Sequence, residues 1–208
     1  MVKIAVLVSG GGTNLQALID AEKRGEIPAG RLTLCVSSNP EAYALTRARQ
    51  HGMQTAVVRM RDYSDRAAYS AALLEVLRQA QIDLVVLAGF LTILPEEVIA
   101  AYPDRIINVH PSLIPSFCGP GFYGLKVHRA ALDYGVKVTG ATVHLVSEVV
   151  DGGRILLQKA VEVEEGDTPE TLQRRVMEQA EWKLLPRAVS LFCQDKLEVE
   201  GRIVHILD

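Results

Sequence analysis

Lys3-Ile4-Ala5-Val6-Leu7-Val8-Ser9-Gly10-Gly11-Gly12-Thr13-Asn14 carries an unbroken apolar run, Ile4 to Val8, followed after Ser9 by three glycines. A short run rich in Val and Ile reads as a strand buried on both faces, as a parallel sheet requires. Asn14 is predicted to cap a helix that carries Leu15, Leu18 and Ile19. Strand, glycine loop and helix in that order make the first half of a βαβ unit. The pattern then repeats. Residues 31–37, 54–58, 84–88 and 106–109 read as further strands, and residues 41–51, 64–79 and a short stretch from Pro95 as helices. Within 64–79, Ala67, Ala71, Leu74 and Leu77 are predicted to lie near one stripe. Residues 84–88 form the most hydrophobic strand and are expected at the sheet centre. This order implies an α/β fold, a Rossmann-like, doubly wound, mostly parallel sheet.

Beyond residue 110 the pattern changes. Residues 111–124 are rich in Pro and Gly and read as a long loop, followed by a helix over 126–134. Two strands, 138–146 and 154–163, are predicted to join tightly through Asp151-Gly152-Gly153, giving the sheet an antiparallel C-terminal part. Thr168-Pro169 opens a helix expected to run to about Cys193, and residues 197–206 read as a small hairpin about Glu200-Gly201. Nothing resembles a linker. One domain over residues 1–208 is expected, with halves of about 1–105 and 106–208.

Composition narrows the function. With 22 Lys and Arg against 25 Asp and Glu, the net charge of −3 lacks the basic footprint of a nucleic acid binder. The longest apolar stretch, 84–91, is far short of the roughly 20 residues that span a bilayer. Cys35, Cys118 and Cys193 are scattered, with no spacing that suggests a disulfide framework or a metal site. A cytoplasmic protein acting on small molecules is expected, without nucleic acid, membrane or metal, and either monomeric or homodimeric.

The glycine loop reads as an anion site, because backbone N–H groups at a helix start face the loop. It has no Gly-Lys-Ser/Thr and no third Rossmann glycine at Leu15, and the second strand ends in Ser37-Ser38-Asn39 rather than an acidic residue. One phosphate of a small substrate suits it better than a dinucleotide. Asn108 and His110 alternate onto one face at the carboxyl end of a strand, where open α/β sheets bind ligands. An amide donor beside an imidazole suits acyl transfer. Each also has a bland reading, Asn108 as a loop cap and His110 as a structural histidine. Asp151-Gly152 is equally a turn signal. His144 reads as a core histidine or a member of the same site. Cys118 is either an idle cysteine or a reactive thiol, and no Ser or Cys has a nucleophile-elbow context.

Taken together, Ser9-Gly10-Gly11-Gly12-Thr13-Asn14-Leu15, Leu87-Ala88-Gly89-Phe90, Asn108-Val109-His110-Pro111-Ser112-Leu113-Ile114-Pro115, Thr139-Gly140-Ala141-Thr142-Val143-His144 and Asp151-Gly152-Gly153 resemble the phosphoribosylglycinamide formyltransferase family. The resemblance covers nearly the whole chain. It implies formyl transfer from the co-substrate 10-formyltetrahydrofolate to the amine of glycinamide ribonucleotide, in purine synthesis. It implies a catalytic set of Asn108, His110 and Asp151. It implies that Gly11, Gly12, Thr13 and Asn14 hold the ribonucleotide phosphate, with Glu181 contacting the same substrate. Arg66, Leu91, Thr92, Ile93, Leu94, Asn108 and Glu148 are the implied folate contacts. Thr92 stands where the family often carries a basic residue, and the stretch between Pro115 and His128 is longer than in some members.

The implied chemistry is direct attack by the amine. Asn108 would donate to the oxyanion, a protonated or nearly protonated His110 would stabilise it, and Asp151 would orient His110 and help take the amine proton through water. Three alternatives stay open. A formyltetrahydrofolate hydrolase of the same superfamily would be expected to carry an N-terminal regulatory domain. A methionyl-tRNA formyltransferase would be expected to carry a C-terminal tRNA-binding domain. A non-catalytic folate or nucleotide-binding module would bind without turnover.

Overall fold

Val2–Val8 forms the first strand, β1, whose residues Ile4 to Val8 are fully buried. The computed structural model describes residues 1–207, so of the expectations above only the domain's last residue, Asp208, lies outside them. Two compact units are present, Met1–Ile107 and Asn108–Asp208.

In the first unit β1 pairs in parallel with β2 (Gly30–Ser37) and with β4 (Leu84–Leu87), and β2 pairs in parallel with β3 (Gln54–Val57). The helices α1 (Thr13–Lys23), α2 (Tyr43–Gln50), α3 (Arg66–Gln79) and α4 (Glu96–Ala101) alternate with these strands. β5 (Ile106–His110) runs across the boundary of the two units. Strand order along the seven-stranded sheet is β3-β2-β1-β4-β5, then β6 (Val138–Leu145) and β7 (Ile155–Glu162). β4 is thus central, and its four residues are all buried.

Two local expectations for this unit fail. The cap of α1 is Gly12, not Asn14, and no side chain closes it. Gly12 adopts the left-handed conformation (φ 73°), which turns the chain into the helix earlier than an extended Asn cap would. Only glycine fits there, because a Cβ would sit 2.6 Å from the Ala44 Cβ. Asn14 lies inside the first turn and is buried. In α3 the buried face is Tyr69, Ser70, Leu73, Leu74 and Leu77, while Ala67 and Ala71 face solvent. Burying a Leu is worth about 1.5–3 kcal/mol, far more than an Ala methyl, so the large side chains set the rotation.

In the second unit β6 and β7 pair antiparallel, and β6 is buried from Thr139 to Leu145. They are not joined by a tight turn. Residues 146–154 connect them, with Asp151 itself left-handed (φ 54°) and Gly152 N–H donating to the Val149 carbonyl. The chain doubles back so closely that a Cβ on Gly153 would lie 1.6 Å from the Leu145 carbonyl oxygen. α5 (Leu125–Tyr134) precedes β6. The single helix expected up to Cys193 is instead α6 (Pro169–Val176), a π turn (Met177–Glu181) and α7 (Trp182–Cys193). Its start is as read: Pro169 is in the first turn, and Thr168 and Thr171 cap each other reciprocally. The hairpin β8 (Leu197–Glu200) and β9 (Ile203–Ile206) also forms as expected.

Candidate active site

The second unit gathers its polar groups at the end of β5. Alternation along that strand sends Asn108 and His110 to one side. His144, on the buried strand β6, donates from Nδ1 to the Leu145 carbonyl at 2.9 Å. Its Nε2 is therefore an acceptor, and Asn108 Nδ2 lies 3.0 Å from it. Asn108 is thereby oriented with one amide N–H committed to His144 and its second left to point elsewhere.

Asp151 reaches the same group from the 146–154 connection. Its Oδ2 accepts the Gly119 N–H at 2.8 Å and lies 3.5 Å from His110 Nδ1, and its Oδ1 lies 3.7 Å from His144 Nε2. His110 Nε2 donates to the Phe117 carbonyl at 2.9 Å, since a carbonyl can only accept. Asn108, His110, His144 and Asp151 are thus one network, and the loop after β5 binds two of its members through its backbone.

Charge in this network departs from the sequence expectation in one respect. Burial lowers the His110 pKa, outweighing the Asp151 carboxylate and the Phe117 carbonyl, which raise it. His110 at rest is a neutral imidazole at pH 7, not an imidazolium. Burial raises the Asp151 pKa, but the His144 and His110 rings and the Gly119 N–H together bring it below the ordinary carboxylate value. A neutral His110 with its proton on Nε2 turns an empty Nδ1 toward an ionised carboxylate.

Cys118 is not poised as a nucleophile. Its thiol donates to the Pro115 carbonyl, and burial together with the nearby Asp151 pushes its pKa up. His128, on α5, is fully buried, and neither ring nitrogen has a hydrogen-bond partner among the described residues. Burial, and then the neighbouring His110, push its pKa down to about 4. The unfolded chain, with a His near its ordinary value, therefore binds one more proton between pH ~6.5 and ~4. That stability is present above the window and is lost as pH falls through it, at up to about 1.4 kcal/mol per pH unit. His128→Leu is expected to flatten the acid side of the stability curve, read as urea midpoints at pH 7 and pH 4.5. His110, whose pKa is also lowered, acts in the same direction, so some slope should remain. Equal midpoint shifts in the variant and the wild type would show that His128 does not contribute.

The first unit holds the other sequence-predicted residues. The glycine loop is pinned on several sides. Ser9 N–H donates to the Gly89 carbonyl, Ser9 Oγ accepts the Leu91 N–H at 2.9 Å, and Ser9 and Ser38 hydroxyls pair at 2.6 Å. Ala44 N–H donates to the Gly10 carbonyl, seating the loop on the start of α2. Gly11 is exposed, Gly12 half-buried, Thr13 exposed and Asn14 buried. Arg66 Nη2 donates to the Leu94 carbonyl at 2.9 Å, so it meets the 91–94 run. Leu91 and Ile93 are exposed, Thr92 is half-buried and Leu94 is buried. Glu148, in the second unit, is exposed on the 146–154 connection. Glu181 ends the π turn and is only 6% exposed, an uncommon setting for a carboxylate. π turns gather at functional sites in proteins generally.

Sequence reasoning missed the Phe117 carbonyl and the Gly119 N–H, because backbone groups leave no sequence signal. It also missed Arg47, whose Nε donates to the Gly11 carbonyl at 2.9 Å.

Residues 2–189 match the formyl transferase family. The crystal structure of glycinamide ribonucleotide transformylase 1 from Symbiobacterium toebii superposes with a TM-score of 0.94 at 45% identity, covering 100% of this chain and 95% of that one. Phosphoribosylglycinamide formyltransferase of Haemophilus influenzae is 36% identical over 206 residues, 99% of this chain and 94% of its own. The trifunctional purine biosynthetic protein adenosine-3 of Bos taurus is 41% identical over 208 residues, of which this chain spans only 20% of the length. A family match along most of the chain, and a bacterial relative aligned almost end to end, agree: the chain belongs to the formyl transferase family.

Proposed function

We propose that the protein transfers the formyl group of 10-formyltetrahydrofolate to the primary amine of glycinamide ribonucleotide. The observation that carries this reading is the network of Asn108, His144, Asp151 and His110, which offers an oriented amide donor beside a carboxylate–imidazole pair. Names of the relatives supply the substrates; the network supplies a chemistry that fits them.

In this mechanism the amine nitrogen bonds to the formyl carbon and the carbonyl electron pair moves to oxygen. The free N–H of Asn108 donates to that oxyanion. One proton leaves the amine through water for the Asp151–His110 pair, filling the vacant Nδ1 and making His110 an imidazolium when negative charge is greatest. Collapse breaks the bond between the formyl carbon and N10 of the folate, and N10 takes the proton. His110 thus starts neutral and acquires its charge during the reaction.

The assignments of Gly11, Gly12, Thr13, Asn14 and Glu181 to the ribonucleotide, and of Arg66, Leu91, Thr92, Ile93, Leu94, Asn108 and Glu148 to the folate, belong to this proposal. So does a division of labour within one catalytic domain, phosphate binding in the N-terminal half and chemistry in the C-terminal half. A cytoplasmic setting is part of the same reading, as is a monomer or homodimer. No helix among the described residues is long and apolar enough to cross a membrane.

The test is to incubate the protein with 10-formyltetrahydrofolate, with and without glycinamide ribonucleotide, and follow folate absorbance. Turnover that requires the ribonucleotide is expected. Turnover without it would identify a hydrolase, and binding without turnover a non-catalytic module.

A further inference from the structure

Any loop that binds a phosphomonoester must offset close to two negative charges, and residues 9–16 contain no Lys or Arg. The P-loop places a lysine within the loop itself. Here the cation comes from α2. Arg47 Nε donates to the Gly11 carbonyl and its Nη1 to Gln16 Oε1, both at 2.9 Å. Its guanidinium lies over the Tyr43 ring, 4.9 Å from the centroid.

Two arginines of the same unit spend their charge on carboxylates. Arg24 pairs with Glu26 and Arg59 with Asp62. Arg47 has no carboxylate partner among the described residues. A guanidinium held in place by three neutral groups keeps its whole positive charge available to something else.

The bond to Gly11 says where that charge acts. The Gly11 carbonyl and the Gly12 N–H belong to one trans peptide and point in opposite directions. A cation on the carbonyl polarises the peptide and makes the Gly12 N–H a stronger donor on the far side. Close packing of Gly12 on Ala44, and the bond from Ala44 N–H to the Gly10 carbonyl, fix that peptide against α2.

We propose that Arg47 is a positioning residue for phosphate recognition, supplying the subsite's charge through the Gly11–Gly12 peptide. The ligand class is a phosphomonoester dianion, and the inference rests on the substrate reading above. Its effect should depend on the phosphate of the substrate and fall on KM.

The experiment compares wild type, Arg47→Met and Arg47→Lys on glycinamide ribonucleotide and on its dephosphorylated ribonucleoside. Hydrogen bonds to charged groups are worth about one to two powers of ten in affinity. Arg47→Met is therefore expected to raise KM for the ribonucleotide by about tenfold or more, with kcat within about threefold. Its kcat/KM on the ribonucleoside should change by less than about threefold, and Arg47→Lys should recover part of the ribonucleotide KM. Equal losses on both substrates would make Arg47 a brace for the loop only, and no loss on either would remove it from recognition. A wild type that does not turn over the ribonucleotide would instead overturn the substrate reading, so the two failures are distinct.

Discussion

Asp151→Asn should fold with a near-unchanged melting temperature, still bind both substrates, and lose at least about 10²-fold in kcat. Position 151 is left-handed at φ 54°, a conformation that Asn adopts as readily as Asp. An Asn side chain also keeps an oxygen for the Gly119 N–H, which Oδ2 accepts in the native protein. The connection between β6 and β7 therefore has little reason to move. Charge is what the substitution removes. The native carboxylate faces His110 Nδ1 at 3.5 Å, and its pKa is held below the ordinary value despite burial. An amide there neither accepts the amine's proton nor stabilises the imidazolium that the transition state needs. The residual activity should also lose a limb of its pH–rate profile. Were the variant to keep more than about a tenth of the wild-type kcat, Asp151 would be a turn residue, and catalysis would rest on Asn108 and His110.

What sequence revealed about the fold follows the strength of each local signal. The β1 run is apolar at every position from Ile4 to Val8, so no pairing could leave one face in water, and the strand is where it was read. Leu84–Leu87 reads the same way and is central. Failures came where two local devices compete. Asn is a strong helix cap, but a glycine free to go left-handed stood two residues before it, and contact with Ala44 selected the glycine. Along α3 a small-residue stripe and a large-residue stripe both have helical period, and burial chose the larger. The π turn ending at Glu181 has no sequence signature, because one inserted residue leaves hydrophobic spacing within its ordinary scatter.

The candidate site divides along a similar line. Asn108 and His110 were legible because two-residue spacing at a strand end is itself geometry. Asp151 lies far along the chain from both, and nothing in its neighbourhood separates a turn former from a histidine partner. Its place beside both histidines became visible only through the distances to His110 and His144. The charge state of His110 was misread for a related reason. Sequence shows that a carboxylate is available, whereas the competing burial is a property of the folded chain. Arg47 was hidden among ordinary surface charges of an amphipathic helix.

Asn108→Ala is expected to lower kcat by about 10²–10³ with little change in KM, the loss typical of one oxyanion donor. The interaction it removes forms fully only when the formyl oxygen carries charge, so substrate binding should be spared. His144 sharpens the test. Its Nδ1 is tied to the Leu145 carbonyl, so its Nε2 holds one N–H of Asn108 at 3.0 Å and aims the other. If His144 acts through Asn108, then His144→Phe should cost activity in the wild-type background and much less in Asn108→Ala. Residues working as one unit are strongly non-additive in this way. Additive losses would mean that His144 serves Asp151 instead, toward which its Nε2 also faces at 3.7 Å. An Asn108→Ala enzyme retaining more than about a tenth of wild-type kcat would remove Asn108 from the oxyanion site.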